Sequence, residues 1–328
     1  MRVVVLGGTG FVGRHVVSRL IDDGDEVLVV HRGGTEPPDL PAVPHLHADR
    51  ASFASVAGAV RVFRPDAVVD GRAFSRADVE AVHPHLAPDV HLVELSSQDV
   101  YRAYELVRAG EEGEPLPVDE ESAVRLGRYP YRGLGMDEDD YDKLDVEPAT
   151  LARGGTVLRL AMVFGEHDGQ RREEFVLRRV RAGRARIPVG SGSLLWTRVY
   201  APDVAAAVAL TLRSEAARGV VLNLGEDRTR SVVGWVRQIL AAAGSDAELV
   251  TVPDALVPVD LRLTRGRAQH LLTDSRRARD LLGWRPADAD DAVRRSVRWH
   301  LTHPPADPDP DFTPDDTALA AGAALSGG

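Results

Sequence analysis

The 328-residue chain is expected to fold as an α/β protein, a doubly wound parallel sheet with a smaller, mostly helical lobe. Three observations predict this. The first is the opening strand: Val3 to Leu6 is apolar, mostly β-branched and too short for a helix, so it reads as a strand buried on both faces. The second is the turn after it, with Gly7, Gly10 and Gly13 at a spacing of three, then apolar residues at helical spacing (Val16, Val17, Leu20, Ile21). The third is repetition. Short apolar runs at Glu26–Val30, Asp66–Val69, Val90–Leu95, Val157–Val163 and Val220–Leu224 alternate with helical patterns, the signature of β-α-β units.

The glycine turn carries the first functional signal. A helix N-terminus presents free N–H groups and a partial positive charge, which attract phosphate. Gly7 permits the tight turn, Gly10 a close approach of backbone to a pyrophosphate, and Gly13 close packing of helix on strand. Strand, turn and helix together point to a dinucleotide. The next strand ends at His31-Arg32-Gly33-Gly34. An acidic residue there would bind the ribose 2′-hydroxyl of NAD; Arg32 suits a 2′-phosphate, so NADP is favoured, with NAD as the alternative.

Along the chain, 36–44 is proline-rich loop, and His45–Arg50 a short third strand with a polar end. His45 and His47 share one side of that strand, but no further ligands are evident, so no metal centre is expected. Ser52–Phe63 and Ala77–Leu86 read as helices, Gly110–Arg132 as a long loop at the mouth of the site, and Asp137–Glu147 as a helix with an acidic first turn. Glu173–Arg184 reads as a basic helix, Asp203–Leu212 as an alanine-rich one with Asp203 as N-cap, and Ser231–Ala243, Asp274–Leu282 and Asp290–His300 as further helices. Residues 1–165 should form the nucleotide-binding domain, with strands from about 195–225 and 255–275 returning to it. Residues 166–303 should be mainly the substrate lobe. The Pro/Asp- then Ala/Gly-rich stretch 304–328 reads as disordered.

Composition excludes several classes. The net charge of -10 argues against nucleic acid and anionic membrane as partners. The absence of cysteine rules out disulfides, thiolate metal sites and a cysteine nucleophile, and fits a cytoplasmic protein. No apolar run approaches ~20 residues, and the chain enters a strand at once, so neither a membrane helix nor a signal peptide is expected. Ser97 lacks a Gly-x-Ser-x-Gly elbow, which removes the hydrolase reading.

Taken in order, Gly7-Gly8-Thr9-Gly10-Phe11-Val12-Gly13, Ala48-Asp49-Arg50, Ser96-Ser97-Gln98-Asp99-Val100-Tyr101, Lys143–Glu147, Leu158–Gly165 and Leu281–Pro286 resemble the extended short-chain dehydrogenase/reductases, in the epimerase/dehydratase branch. The likeness spans Met1 to about Leu301 and implies a Rossmann-type fold. It implies that Gly7, Gly10, Phe11, Val12 and Gly13 hold the pyrophosphate. Arg32 would face the adenosine phosphate, Asp49 the adenine amino group with Arg50 beside it, and Arg72 and Ala73 would lie where the fourth strand passes the cofactor. Ser97 takes the place of the catalytic serine or threonine, and Lys143 that of the lysine on the nicotinamide ribose.

The family's acid/base tyrosine stands four residues before that lysine; here the position holds Asp139, making this an atypical member. Tyr141 is two before Lys143, about 200° away on a helix. Three arrangements satisfy the sequence: Tyr141 reaches the site because the segment before Lys143 is not helical, Tyr129 or Tyr131 enters from the loop, or Asp139 replaces the tyrosine and standard chemistry is lost. The function implied is an NADP-dependent epimerase, dehydratase or reductase acting on a carbinol or carbonyl carbon of a nucleotide sugar or small polar metabolite, with Ser97, Tyr141 and Lys143 as the catalytic set. The alternative is a cofactor-binding protein of reduced catalysis that senses redox state or binds a partner. The basic residues Arg171, Arg172, Arg178, Arg179 and Arg198 could grip an anionic substrate. Oligomeric state stays open, the family often forming homodimers through helices of the large domain.

Overall fold

A computed structural model describes residues 1–34, 36–134, 139–306 and 311–326. Its centre is a seven-stranded parallel sheet. In chain order the first half runs β1 (Arg2–Leu6), α1 (Phe11–Asp22), β2 (Glu26–His31), β3 (His45–His47), α2 (Ala57–Phe63), β4 (Ala67–Asp70), α3 (Arg76–Val82), β5 (His91–Ser97) and α4 (Arg102–Ala109). It continues with α5 (Lys143–Ala152), β6 (Thr156–Leu160), β7 (Met162–Phe164), α6 (Glu174–Arg181), β8 (Arg186–Val189), β9 (Arg198–Tyr200) and α7 (Ala201–Leu212). The last elements are β10 (Val221–Leu224), α8 (Val232–Ala242), β11 (Glu248–Thr251), α9 (Arg276–Leu282), α10 (Ala289–Thr302) and α11 (Thr313–Ser326).

The sheet order is β10-β6-β5-β4-β1-β2-β3, so the direction of winding reverses between β1 and β4. A ligand groove is expected outside the carboxyl ends of the strands at such a reversal. The strand period of two sends side chains to both faces. Val3 and Val5 pack with α1 and α7; Val4 and Leu6 pack on the opposite layer with Phe53, Ala57 and Val82.

The second lobe has its own core, in which Ile187, Trp235, Val297 and Ala318 meet. Around its helices lie two small parallel pairs, β8 with β11 and β7 with β9. The run Val157–Val163 therefore divides: β6 stays in the large sheet, and β7, one residue later, turns into the lobe. Of the two returning stretches, β10 joins the large sheet beside β6. Residues 255–275 form no strand among the described residues; they make isolated bridges such as Trp196–Leu271 and Val118–Thr273.

Three other local expectations change. The helix expected from Asp137 begins at Lys143, with Asp142 as its N-cap accepting from Leu144 N at 3.0 Å; Asp137 and Glu138 lie outside the described residues. Asp203 is not an N-cap. The helix α7 starts at Ala201 after Tyr200, with Pro202 in its first turn, and Asp203 instead accepts from Ala287 N at 3.0 Å. The tail contains a helix, α11. Composition fails here because the segment does not fold alone: Ala318 and Leu319 bury against the lobe, and Asp315 pairs at 2.6 Å with Arg179, which is wholly buried. Among the described residues no helix is long and apolar enough to cross a membrane.

Candidate active site

The glycine turn sits at the carboxyl end of β1. Gly7 has φ +81°, the left-handed region that favours glycine. A Cβ on Gly13 would lie 2.2 Å from the Gly7 carbonyl oxygen, so the close helix–strand approach requires this glycine. Gly10 differs. A Cβ there would meet Gly7 O at an ordinary 3.5 Å, so the fold does not demand glycine at this position. Gly10 is the N-cap of α1 and offers no side-chain cap. The first-turn N–H groups of Phe11, Val12 and Gly13 have no intrahelical acceptor and remain for an incoming anion.

From this turn a cavity of about 520 Å³ runs toward β2 and β3, lined by Gly7, Gly10, His31, Arg32, Asp49 and Arg72 among others. Arg32 is exposed at its rim, and among the described residues no carboxylate pairs with it. Asp49 caps the turn after β3, accepting from Ala51 N at 3.0 Å, and faces the cavity. Arg50 turns inward. It forms a two-pronged pair with Asp70 at 2.9 and 2.5 Å and donates to Asp78 O at 2.9 Å, so its guanidinium anchors the end of β4. Asp70, which the sequence did not single out, also accepts from the backbone of Arg72 and Ala73. Burial alone would raise the Asp70 carboxyl, but Arg50 outweighs it and holds it below its ordinary value. The Arg72 side chain crosses directly over Gly7, its guanidinium 4.4 Å from the Phe74 ring centre.

At the far side of β4 lies the second half of the groove, at the carboxyl end of β5. From β2 to β5 is three strand spacings, about 14 Å. Here Ser97 Oγ accepts from Asp99 N at 3.2 Å. Asp99 Oδ2 accepts from both Tyr141 and Tyr131, each at 2.9 Å, and Tyr104 donates to the Tyr131 hydroxyl at 3.0 Å. Oδ1 of Asp99 is buried and has no partner among the described residues. Burial raises the Asp99 carboxyl above its ordinary value despite the two phenol donors. Burial first, then the Asp99 charge, pushes the Tyr131 phenol well up.

Tyr141 enters because the chain before Lys143 is extended, the first of the three arrangements the sequence allowed. Asp142 fixes that geometry. Fully buried, it is gripped by Arg125, by Arg128 Nε at 2.6 Å and by Tyr129 N at 3.0 Å, which pins the 125–131 loop and its Tyr131 over the site. Tyr131 thus enters as well. Lys143 is committed elsewhere. Its ammonium donates to Ala73 O at 2.7 Å, Leu95 O at 2.6 Å and Glu94 Oε1 at 2.8 Å, which uses all three N–H groups. The Phe74 ring stands beside both its Nζ (5.2 Å) and the Tyr141 ring (5.4 Å). Asp139 is exposed and caps the loop, accepting from Gly133 N at 2.9 Å.

Comparison with known proteins fits this geometry. Residues 3–91 match the model of the NAD dependent epimerase/dehydratase family. The chain is 27% identical over 302 residues to a 3-diazoavenalumate denitrifying reductase from Streptomyces, covering 87% of this chain and 96% of that protein. It is 29% identical over 261 residues to a 2'-dehydrokanamycin reductase from Streptomyces kanamyceticus, covering 77% and 70%. A Thermus thermophilus UDP-glucose 4-epimerase solved with NAD superposes with TM-score 0.67 and 22% identity, over 91% of this chain and 98% of that one. These matches agree with the likeness to the extended short-chain dehydrogenase/reductases, and the whole chain shares the fold of that solved epimerase.

Against that superfamily's pattern the departures of this chain are concrete. The position of the usual tyrosine is a solvent-facing loop aspartate, and the tyrosine two residues later occupies the interior with Asp99. The basic set of the second lobe does not converge on a substrate pocket. Arg172 pairs with Asp168 (2.9 Å), Arg178 and Arg179 with Asp260 (2.8 and 2.7 Å), Arg198 with Glu226 (3.0 Å), and Arg171 donates to His303 O (2.7 Å). These arginines are spent on holding the lobe together. Asp99 does not stand out in the sequence, although it lies only two residues after Ser97. Nor does the sequence show that His31 and Glu36 join His45 and His47.

Proposed function

We propose that this protein is an NADP-dependent reductase of a carbonyl carbon in a small polar or sugar-like metabolite, with the substrate held between the groove and the 166–303 lobe. The observation that carries the reading is the Asp99–Tyr141 contact at the β5 end of the groove. The residues suit a dinucleotide: a glycine cradle open at Gly10, first-turn N–H groups without intrahelical acceptors, and a cavity of about 520 Å³ beyond them. Gly7, Gly10, Phe11, Val12 and Gly13 would hold its pyrophosphate, Arg32 its 2′-phosphate and Asp49 its adenine, with Arg72 over the phosphates.

A nicotinamide bound there would supply the hydride. The protein's task is then to supply one proton, so that a C=O group taking up hydride and proton becomes an alcohol. Ser97 Oγ would hold the substrate oxygen. Tyr141 carries its proton toward Asp99 in this arrangement and would pass it to that oxygen. Asp99, a carboxyl that burial biases toward its protonated form, and Tyr131 would resupply it. Lys143 is a positioning residue: it ties the loop after β4 to β5 through Ala73 and Leu95.

The second reading is cofactor binding without turnover, favoured by the commitment of Lys143 to three internal acceptors. One experiment separates the two. Purified protein is screened for NADPH oxidation against a panel of aldehydes, ketones and keto-sugars. Turnover that Tyr141→Phe and Ser97→Ala abolish supports the reductase; NADPH binding with no turnover across the panel overturns it in favour of the binding module.

A further inference from the structure

The adenosine end of the groove carries a second cluster that hydride transfer does not use. β2 ends on His31, β3 presents His45 and His47, and the intervening loop brings Glu36 back to them. His31 Nε2 lies 2.9 Å from His45 Nδ1 and 3.4 Å from Glu36 Oε1. One donor atom from each of His31, His45 and Glu36 falls within 4.8 Å of the others. His47 Nε2 is 2.6 Å from Glu36 Oε1. The three imidazole rings pack on one another with centroids 4.9–6.5 Å apart.

We propose that His31, His45 and Glu36 bind one divalent transition-metal ion of the zinc class, with His47 orienting the carboxylate. A tetrahedral ion with bonds of about 2.0–2.2 Å spaces its ligands about 3.3 Å apart, close to the 2.9 and 3.4 Å that separate His31 from His45 and Glu36. Two imidazoles and a carboxylate form a nitrogen/oxygen set that suits zinc, cobalt or nickel and is poor for magnesium or calcium. His47 supplies the carboxylate contact that usually fixes a metal-bound ligand from outside. His31 is buried and His45 half-buried, while Glu36 is exposed, so the site is walled on one side and open for entry on the other.

Without an ion, Gly33 N–H donates to His31 Nδ1 at 3.2 Å, so a neutral His31 carries its proton on Nε2 and gives it to His45. The ion takes that proton's place, and Nδ1 becomes the protonated nitrogen. His31 must then release Gly33, which lies in a left-handed turn (φ +83°) next to Gly34, where a Cβ would meet nothing within 4 Å. Arg32 and Gly34 line the adenosine cavity, so ion uptake and the shape of that cavity are linked. The proposal does not depend on the chemistry assigned to Tyr141 and Asp99.

The test uses the full chain after chelator treatment, titrated calorimetrically with Zn²⁺ and followed with Co²⁺ by visible absorption. The expected result is one ion per chain with Kd below about 10 µM, weakened about 10–100-fold by His45→Ala and by Glu36→Gln. Both positions are outside the buried core, and circular dichroism of each variant verifies the fold. No stoichiometric uptake, or uptake that both folded variants retain, overturns the site.

Discussion

Tyr141 places its hydroxyl 2.9 Å from Asp99 Oδ2, while Lys143, two residues on, turns away to Ala73, Leu95 and Glu94. The usual tyrosine–lysine pairing is thereby replaced by a tyrosine–carboxyl pairing. Tyr141→Phe should lower kcat of NADPH-linked reduction about 10²–10⁴-fold while leaving the NADPH KM within about threefold. Asp99→Asn should lower kcat and alter its pH profile, because the carboxyl that resupplies the proton is gone. A pH profile unchanged in Asp99→Asn would contradict the resupply role.

Lys143 should behave as a stability residue. Lys143→Met leaves Glu94 buried and unpaired, and should cost about 3–5 kcal/mol in chemical denaturation. Adding Glu94→Leu should restore most of the loss. A Lys143→Met protein of wild-type stability would show that the internal contacts are dispensable.

The two glycines of the turn should separate. Gly13→Ala forces a Cβ against the Gly7 carbonyl and should disrupt folding; Gly10→Ala meets nothing closer than 3.5 Å and should keep the wild-type melting temperature within about 3 °C. Cofactor binding, read by fluorescence titration, should nonetheless fall at least about tenfold in Gly10→Ala, since its methyl enters the phosphate path.

Glu173 gives a pH test in the second lobe. Burial pushes its carboxyl up to about 8, against the Ser296 hydroxyl that donates to it at 2.6 Å. The folded protein therefore holds this proton across a range, above the ordinary carboxyl value of 4.5, in which the unfolded chain has lost it, and stability drains away as pH rises from there toward 8. Glu173→Gln removes that dependence. The melting-temperature difference, variant minus wild type, should grow steadily between pH 5 and 8; a constant difference would contradict the buried neutral acid.

Much of the fold was legible because its signals are local. The run Val3–Leu6, the glycine spacing and the strand–helix alternation each report on a few adjacent residues, and together they dictate the sheet. The features that stayed hidden depend on partners distant in sequence. The α11 helix forms because Arg179 waits for Asp315, 136 residues away. The Asp99 site needs the 125–131 loop, which Asp142 pins from outside its own segment. His45 and His47 were visible as a pair, but His31 and Glu36 come to them only through the β2–β3 register. The basic arginines looked like a substrate grip because their acidic partners, Asp260 and Glu226, lie far along the chain.

Arg32 at the cavity rim is placed to meet a 2′-phosphate, and equilibrium titration of the purified protein with NADPH and with NADH measures that preference. NADPH should bind at least about tenfold tighter than NADH, a gap of ~1.4 kcal/mol or more, and Arg32→Ala should bring the two to parity. Equal affinity for both cofactors in the wild type, or a preference for NADPH that survives in Arg32→Ala, would contradict it.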